Sequence, residues 1–312
     1  MLAPPSARTR AMPLGDTLMA IVLRNTLRLL LKPALSPRWP LRWQRRWLDI
    51  LSGIGRLPRG IARCDGTEAG VAVERWEERA AVARPAGTLL FLHGGAYCVG
   101  SPRTHRALAA WLARASGMPV VVPDYRLAPE HPFPAALEDA LAVYDALSAQ
   151  GPVLLAGDSA GGGLALALAL QLRERGRTSP IGLVLLSPWV DLRAARQPPP
   201  VPGEAMLTAA WMQACAAHYS AGAVDDPRVS PLLADLRGLP PVLVQCGTDE
   251  LLCVQARALH AALQAAEVDS TLEVAEGRWH VYQLHAGQLP SADAAVARIA
   301  AFAARCQGRS AP

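Results

Sequence analysis

From about residue 71 the chain alternates between short runs rich in Val and Leu and longer stretches with the 3.6-residue period of a helix. The strand-like runs are Val71–Trp76, Thr88–His93, Val120–Pro123, Val153–Gly157, Ile181–Ser187, Pro241–Cys246 and Thr271–Ala275. Helix-like stretches lie between and after them: Arg103–Ala115, Pro134–Ser148, Ala160–Arg175, Cys253–Ala266 and Ala292–Ala304. Strands that are apolar on both faces cannot border water. Joined through helices, they predict an α/β fold with a mostly parallel sheet covered on both sides. With 312 residues, 51% of them hydrophobic, the chain is long enough to bury a sizeable core.

Two regions break the alternation. Residues 1–65 look helical and strandless, and about 193–238 opens Pro-rich and holds one helical stretch, Met206–Tyr219. A parallel-sheet protein binds its ligand beyond the carboxyl ends of the strands, where extra helical segments make natural lids. The expected organisation is therefore an N-terminal helical cap segment (1–65) and a catalytic domain (66–312) with a cap insertion at about 193–238. Within the first segment Trp39, Trp43 and Trp47 recur every four residues and share a helical face. That stripe is expected to pack the cap and to line an apolar pocket.

Residues 1–64 carry eleven Arg and Lys32 against only Asp16 and Asp49. Solvated arginines on surface helices explain this better than a nucleic-acid or anionic-membrane patch, because no nucleic-acid-binding signature accompanies them, while a membrane-peripheral role resting on Leu18–Leu31 and the arginines stays open. Leu18–Leu31 is apolar but interrupted by Arg24 and Arg28, too short and too charged to span a bilayer. It reads as an amphipathic helix, with neither an integral membrane segment nor a signal peptide. The six cysteines form no C-x-x-C and no regular spacing, which fits reduced thiols and a cytoplasmic location. No zinc-type spacing is present.

The run Leu154-Leu-Ala-Gly-Asp-Ser-Ala-Gly-Gly-Gly163 isolates one hydroxyl, Ser159, among residues with almost no side chain. Gly157-Asp-Ser-Ala-Gly161 fits G-x-S-x-G between a strand and a helix. In that setting the serine stands on a sharp turn with its oxygen exposed above the sheet, and the helix N-terminus favours developing negative charge.

A serine hydroxyl needs a base, and the base needs an orienting acid, in the chain order Ser, acid, His. Of the histidines that follow, His260 lies in an alanine-rich helix and His285 is expected on the next helix. His280 lies on the loop just after Thr271–Ala275 and is the expected base. Asp249 ends the preceding strand and is the favoured acid, with Asp191 in Leu185-Leu-Ser-Pro-Trp-Val-Asp-Leu192 as its competitor. Glu250 is expected to point elsewhere and support the loop. The tetrahedral oxyanion needs backbone donors, expected from the His93-Gly94-Gly95-Ala96 turn and from Ala160, each donor worth ~3 kcal/mol to the transition state. Tyr97, Trp43, Trp47 and Trp189 are the candidate substrate-binding residues.

Together the segments His93-Gly-Gly-Ala-Tyr97, Asp124–Asp139, Gly157–Gly162, Leu185–Leu192, Gly247–Leu251 and Gly277–Tyr282 resemble the hormone-sensitive-lipase-like branch of α/β-hydrolase carboxylesterases, over about residues 70–306. The resemblance implies an α/β-hydrolase fold with a helical cap, no metal or organic cofactor, and hydrolysis of short- to medium-chain acyl esters through an acyl-enzyme. It implies Ser159, His280 and Asp249 as the triad and the amides of Gly95, Ala96 and Ala160 as oxyanion donors. Tyr125, Arg126 and Asp158 then support the site. Ala96 replaces a family glycine, harmless at negative φ and strained otherwise. A lactone hydrolase, or a deacetylase of small apolar molecules, is the alternative within the class. A receptor that keeps the pocket without catalysis is the alternative outside it, disfavoured because His280 is present. The expected partner is a small-molecule ester, not nucleic acid, and a homodimer is compatible with the family.

Overall fold

The computed structural model describes residues 14–79, 87–193 and 201–310. Its centre is an eight-stranded sheet: β1 Ile61–Glu68, β2 Val71–Glu78, β3 Thr88–Leu92, β4 Val120–Pro123, β5 Val153–Asp158, β6 Gly182–Leu186, β7 Val242–Gly247 and β8 Ser270–Ala275, in spatial order β1-β2-β4-β3-β5-β6-β7-β8. All pairs from β4 across to β8 are parallel. Only β1–β2 and β2–β4 are antiparallel.

The central strands are apolar on both faces because both are covered. Leu90 and Leu92 of β3 join a core with Leu137 and Val143 of α4 (Ala135–Ser148), Leu164 and Leu168 of α5 (Ala160–Glu174) and Leu259 of α7 (Cys253–Ala265). Leu89 and Phe91, pointing the other way, join Leu108 and Leu112 of α3 (Arg106–Ser116) and Ile299 and Phe302 of α8 (Pro290–Ser310). The period-2 alternation of side chains thus feeds two cores from one strand.

The expected strands are present with ends shifted by a few residues. β1 is a correction: it begins inside the segment read as strandless. Most of its residues are exposed, so it carries no apolar run to betray it.

The two segments expected to form a cap hold α1 (Leu14–Thr26), a π-helical turn at Leu27–Leu31, α2 (Leu41–Leu51) and, in the insertion, α6 (Ala209–Ser220). Residues 1–13 and 194–200 of the two expected cap segments lie outside the described residues. Basic side chains tie the N-terminal segment to the insertion and to the body. Arg28 donates to the Pro202 carbonyl, Lys32 to that of Glu204, and Arg45 to the carbonyls of Cys98 and Ala128 and to both oxygens of Glu130. Asp16 of α1 pairs with Arg278, both almost fully buried, and also accepts from the Ser291 amide at 2.9 Å. The reading of the basic segment as solvated arginines is therefore corrected for these residues. Gln44, buried on α2, receives the indole N–H of Trp211 at 2.8 Å and joins the two cap parts. Among the described residues, no helix is long and apolar enough to cross a membrane.

Candidate active site

The parallel strands deliver every chemically interesting loop to one edge of the sheet. Ser159 follows β5, the His93-Gly-Gly turn follows β3, Glu250 follows β7 and His280 follows β8. Ser159 sits at φ 53° and ψ −120°, a strained conformation for a residue with a Cβ. Its neighbourhood is cleared to permit the turn: a Cβ on Gly161 would come within 2.0 Å of the Leu92 carbonyl oxygen. Helix α5 starts at the next residue, so its positive end lies beneath the hydroxyl.

His280 and Ser159 line one cavity, together with Asp158, Gly94, Gly95 and Ala96. The acid that faces the imidazole is Glu250, not Asp249. Glu250 Oε2 lies 3.9 Å from His280 Nδ1, with both side chains almost entirely buried. Nδ1 of His280 has no hydrogen-bond partner, and Oε1 of the facing carboxylate is likewise unpaired, so a small side-chain movement of Glu250 can bring the imidazole and carboxylate into a hydrogen bond. Asp249 turns outward instead. Its carboxylate pairs with Arg24 of the cap at 3.0 Å and accepts from Thr248 Oγ1. Asp191 is held by Arg193 and does not face the imidazole. His260 pairs with Ser270, and His285 lies on a 3-10 turn rather than a helix, edge-on to Trp279.

Glu250 is fixed by donors from two other places. Ser187 Oγ–H donates to Oε2 at 2.8 Å and the Gly247 amide donates to it at 3.2 Å. The same Ser187 oxygen accepts from the Val281 amide, one residue beyond His280. Sequence reasoning passed over Ser187. Its signal was its place at the mouth end of β6, inside the segment that suggested Asp191. Burial alone would lower the pKa of His280, but the facing Glu250 carboxylate, with the charges of Glu204 and Asp158 further off, outweighs it and raises the pKa above 6.5.

The turn after β3 carries two consecutive left-handed residues without glycine's freedom, Ala96 at φ 52° and Tyr97 at φ 60°, so the strained case for Ala96 holds. Gly95, at φ 124°, has no room for a side chain: a Cβ would meet the Val99 oxygen at 2.0 Å. The amides of Gly95 and Ala96 have no backbone acceptor among the described residues, and Ala160 holds one of the amides a helix start leaves unpaired. Gly94 does not belong with them. Its amide donates to Asp158 Oδ1 at 2.8 Å, and Asp158 is in turn 3.1 Å from His105 Nε2. Burial opposes a proton on His105, yet Asp158 raises its pKa. Tyr125 braces the turn from behind, donating to the His93 carbonyl at 2.6 Å with its ring stacked on that imidazole. Arg126 is engaged with Asp139 instead.

The cavity has a volume of about 230 Å³. Its walls are mostly apolar, with Leu23, Leu27 and Leu51 from the N-terminal cap segment and Leu207 and Trp211 from the insertion. None of the four expected substrate-binding residues is among them. Tyr97 is buried and stacked on Tyr219 at 3.6 Å, and Trp189 is fully buried near it. Trp43 is exposed, and Trp47 donates to the Leu30 carbonyl. The tryptophan face of α2 points away from the cavity, and its leucine face lines it.

Comparison with known proteins agrees with this arrangement. Residues 89–284 match the alpha/beta hydrolase fold family. An esterase of Acinetobacter venetianus is 39% identical over 237 residues, 73% of this chain and 78% of that protein. An acetyl-hydrolase of Streptomyces hygroscopicus is 43% identical over 224 residues, 69% of this chain and 74% of that one. Among solved structures, an esterase from the bacterial hormone-sensitive lipase family superimposes with a TM-score of 0.84 at 37% identity, covering 96% of this chain and all of the other. EstE5, soaked with p-nitrophenyl butyrate, gives 0.85 at 33% identity with the same coverage. The chain belongs to the bacterial hormone-sensitive lipase family of α/β-hydrolase fold esterases. It is a carboxylic ester hydrolase.

Proposed function

We propose that the protein is a serine carboxylesterase for neutral, apolar esters with short- to medium-chain acyl groups, using Ser159 as nucleophile, His280 as base and Glu250 as orienting acid. The carrying observation is the strained conformation of Ser159, at a strand-to-helix turn opening on the cavity that His280 also lines. His280 removes the hydroxyl proton as Ser159 Oγ attacks the ester carbonyl. Glu250 stabilises the imidazolium through Nδ1. The oxyanion is met by the amides of Gly95, Ala96 and Ala160 and by the positive end of α5. His280 returns the proton to the leaving alcohol, and water activated by the same imidazole releases the acid from the acyl-enzyme.

The apolar walls favour an uncharged substrate, since a buried charge would find no partner there. The acetyl-hydrolase among the relatives favours a second reading within the class, removal of acetyl groups from small apolar molecules. Hydrolysis of p-nitrophenyl esters from acetate to palmitate, by wild type and Ser159→Ala, tests both readings. The expected result is turnover greatest on the shortest members and a fall of ~10⁴ or more in the variant. Equal activity of the two proteins would remove Ser159 from the mechanism, and a maximum at palmitate would overturn the assigned acyl range.

A further inference from the structure

Among the described residues, every exposed large apolar side chain except Leu233 and Val254 belongs to residues 18–57. A concentration of this kind on an otherwise polar surface marks an interaction site. The side chains fall into two stripes at helical spacing: Leu18, Val22 and Leu29 along α1 and the π-helical turn, and Trp43, Ile50 and Ile54 along α2 and the turn after it. The Trp47 indole N–H, donating to the Leu30 carbonyl at 2.8 Å, holds the two elements side by side. Their inner faces supply Leu23, Leu27 and Leu51 to the cavity. Leu30 and Ile54 belong to both surfaces, lining the cavity while remaining 45% and 67% exposed. The cavity therefore reaches the outside through this apolar face.

Charge identifies the occupant. Arg38, Arg42, Arg46, Arg56 and Arg59 are exposed within the slightly longer segment 16–59, and none forms an ion pair among the described residues. The segment's two acids are engaged: Asp16 is buried against Arg278, and Asp49 accepts from Ser101 Oγ. A second copy docked face to face would set arginine against arginine with no acid between them. A surface with an apolar interior and anionic headgroups satisfies both features at once.

We propose that the outer face of α1 and α2 seats this esterase on an anionic lipid surface, with the cavity opening turned toward the bilayer. Apolar esters dissolved in the lipid then reach Ser159 without crossing water. The proposal goes beyond the assigned chemistry, and its readout is independent of hydrolysis.

The test is co-sedimentation of the full chain with vesicles of phosphatidylcholine alone and of phosphatidylcholine mixed with phosphatidylglycerol. Binding is expected only to the mixed vesicles at low salt (~0.05 M), with release at ~0.5 M, where the Debye length shrinks to a few ångströms. Ser159→Ala is expected to bind as wild type does. Charge reversal by Arg42→Glu with Arg46→Glu should weaken binding by at least ~25-fold, at about fivefold for each arginine removed. Leu29→Glu with Trp43→Glu should abolish it. Both pairs alter exposed side chains outside the site, so hydrolysis of dissolved p-nitrophenyl acetate should match wild type and show that the fold is intact. No binding to the mixed vesicles at low salt overturns the proposal, as does binding that neither pair weakens. A stable dimer in light scattering that Leu29→Glu with Trp43→Glu converts to a monomer would give the face to a second copy, and the proposal would fall.

Discussion

Glu250 and His280 face each other at 3.9 Å while the neighbouring Asp249 is bound to Arg24 of the cap. Adjacent carboxylates on one loop thus have separate assignments, and paired amide substitutions distinguish them. Glu250→Gln should lower kcat by ~10²–10⁴, the range expected when the partner of a catalytic imidazole loses its charge. Asp249→Asn should leave kcat within about threefold and cost at most ~1 kcal/mol of stability, as for a partly exposed ion pair. Steady-state kinetics on a short p-nitrophenyl ester would reverse the assignment if Asp249→Asn proved the more damaging.

The acid limb of the rate profile reports the imidazole. A base must be neutral to act, and Glu250 raises the pKa of His280 above 6.5. The limb of kcat/KM should therefore have its midpoint above 6.5. In Glu250→Gln the desolvation of His280 persists while its counter-charge is gone, so the midpoint should move to lower pH. An upward or absent shift in the residual activity of the variant would contradict the pairing.

Ser187 acts through two other residues. Its hydroxyl donates to Glu250 and accepts from the Val281 amide, so it sets the acid and the base loop relative to each other. Ser187→Ala should lower kcat ~10- to 100-fold with KM within about twofold, because no substrate contact is lost. Ser187→Thr, which keeps the hydroxyl, should recover most of the rate. A change confined to KM or to stability would reduce Ser187 to a packing residue.

At Ala96 opposing terms nearly cancel. Relief of left-handed strain by Ala96→Gly is worth about 1–2 kcal/mol. Added freedom of the unfolded chain costs about 0.4–1 kcal/mol, and loss of a buried methyl up to ~0.8 kcal/mol. The urea midpoint should thus correspond to wild-type stability within about 0.5–1 kcal/mol, which accounts for an alanine where the family resemblance implies glycine. A larger change in either direction would show that one of these terms is misjudged at this turn.

His93 is fully buried, and burial, reinforced by the nearby His105, pushes its pKa down to about 3. Below pH 6.5 the unfolded chain takes up a proton that the folded chain refuses, so this residue's contribution to stability is lost as pH falls from 6.5 toward 3. His93→Gln should shrink the stability difference between pH 7 and pH 4.5 by roughly 2–3 kcal/mol. Urea unfolding at the two pH values measures it, and an undiminished difference would assign acid sensitivity elsewhere.

The parallel core and the position of Ser159 were legible because each rests on a local pattern: two-sided apolar strands, and glycines around one hydroxyl. β1 was not, since an edge strand exposing most of its length shows no apolar period. The choice between Asp249 and Glu250 was also hidden. Which of two adjacent side chains turns inward depends on donors from Ser187, on another strand, and on an arginine from the cap far away in sequence. The tryptophan stripe holds on the helix only for Trp43 and Trp47, since Trp39 precedes α2, and its expected orientation was wrong. Helix α2 is apolar on two faces, and only the packed structure shows that the leucines turn inward.

The buried contact between Asp16 and Arg278 joins residues 262 positions apart. Helix α1 is therefore made long before the loop that receives it. Until that loop is made, the apolar inner face of α1 has no seat. Seating this helix must wait for synthesis to pass Arg278, and the chamber above Ser159 acquires its full set of walls only after that point.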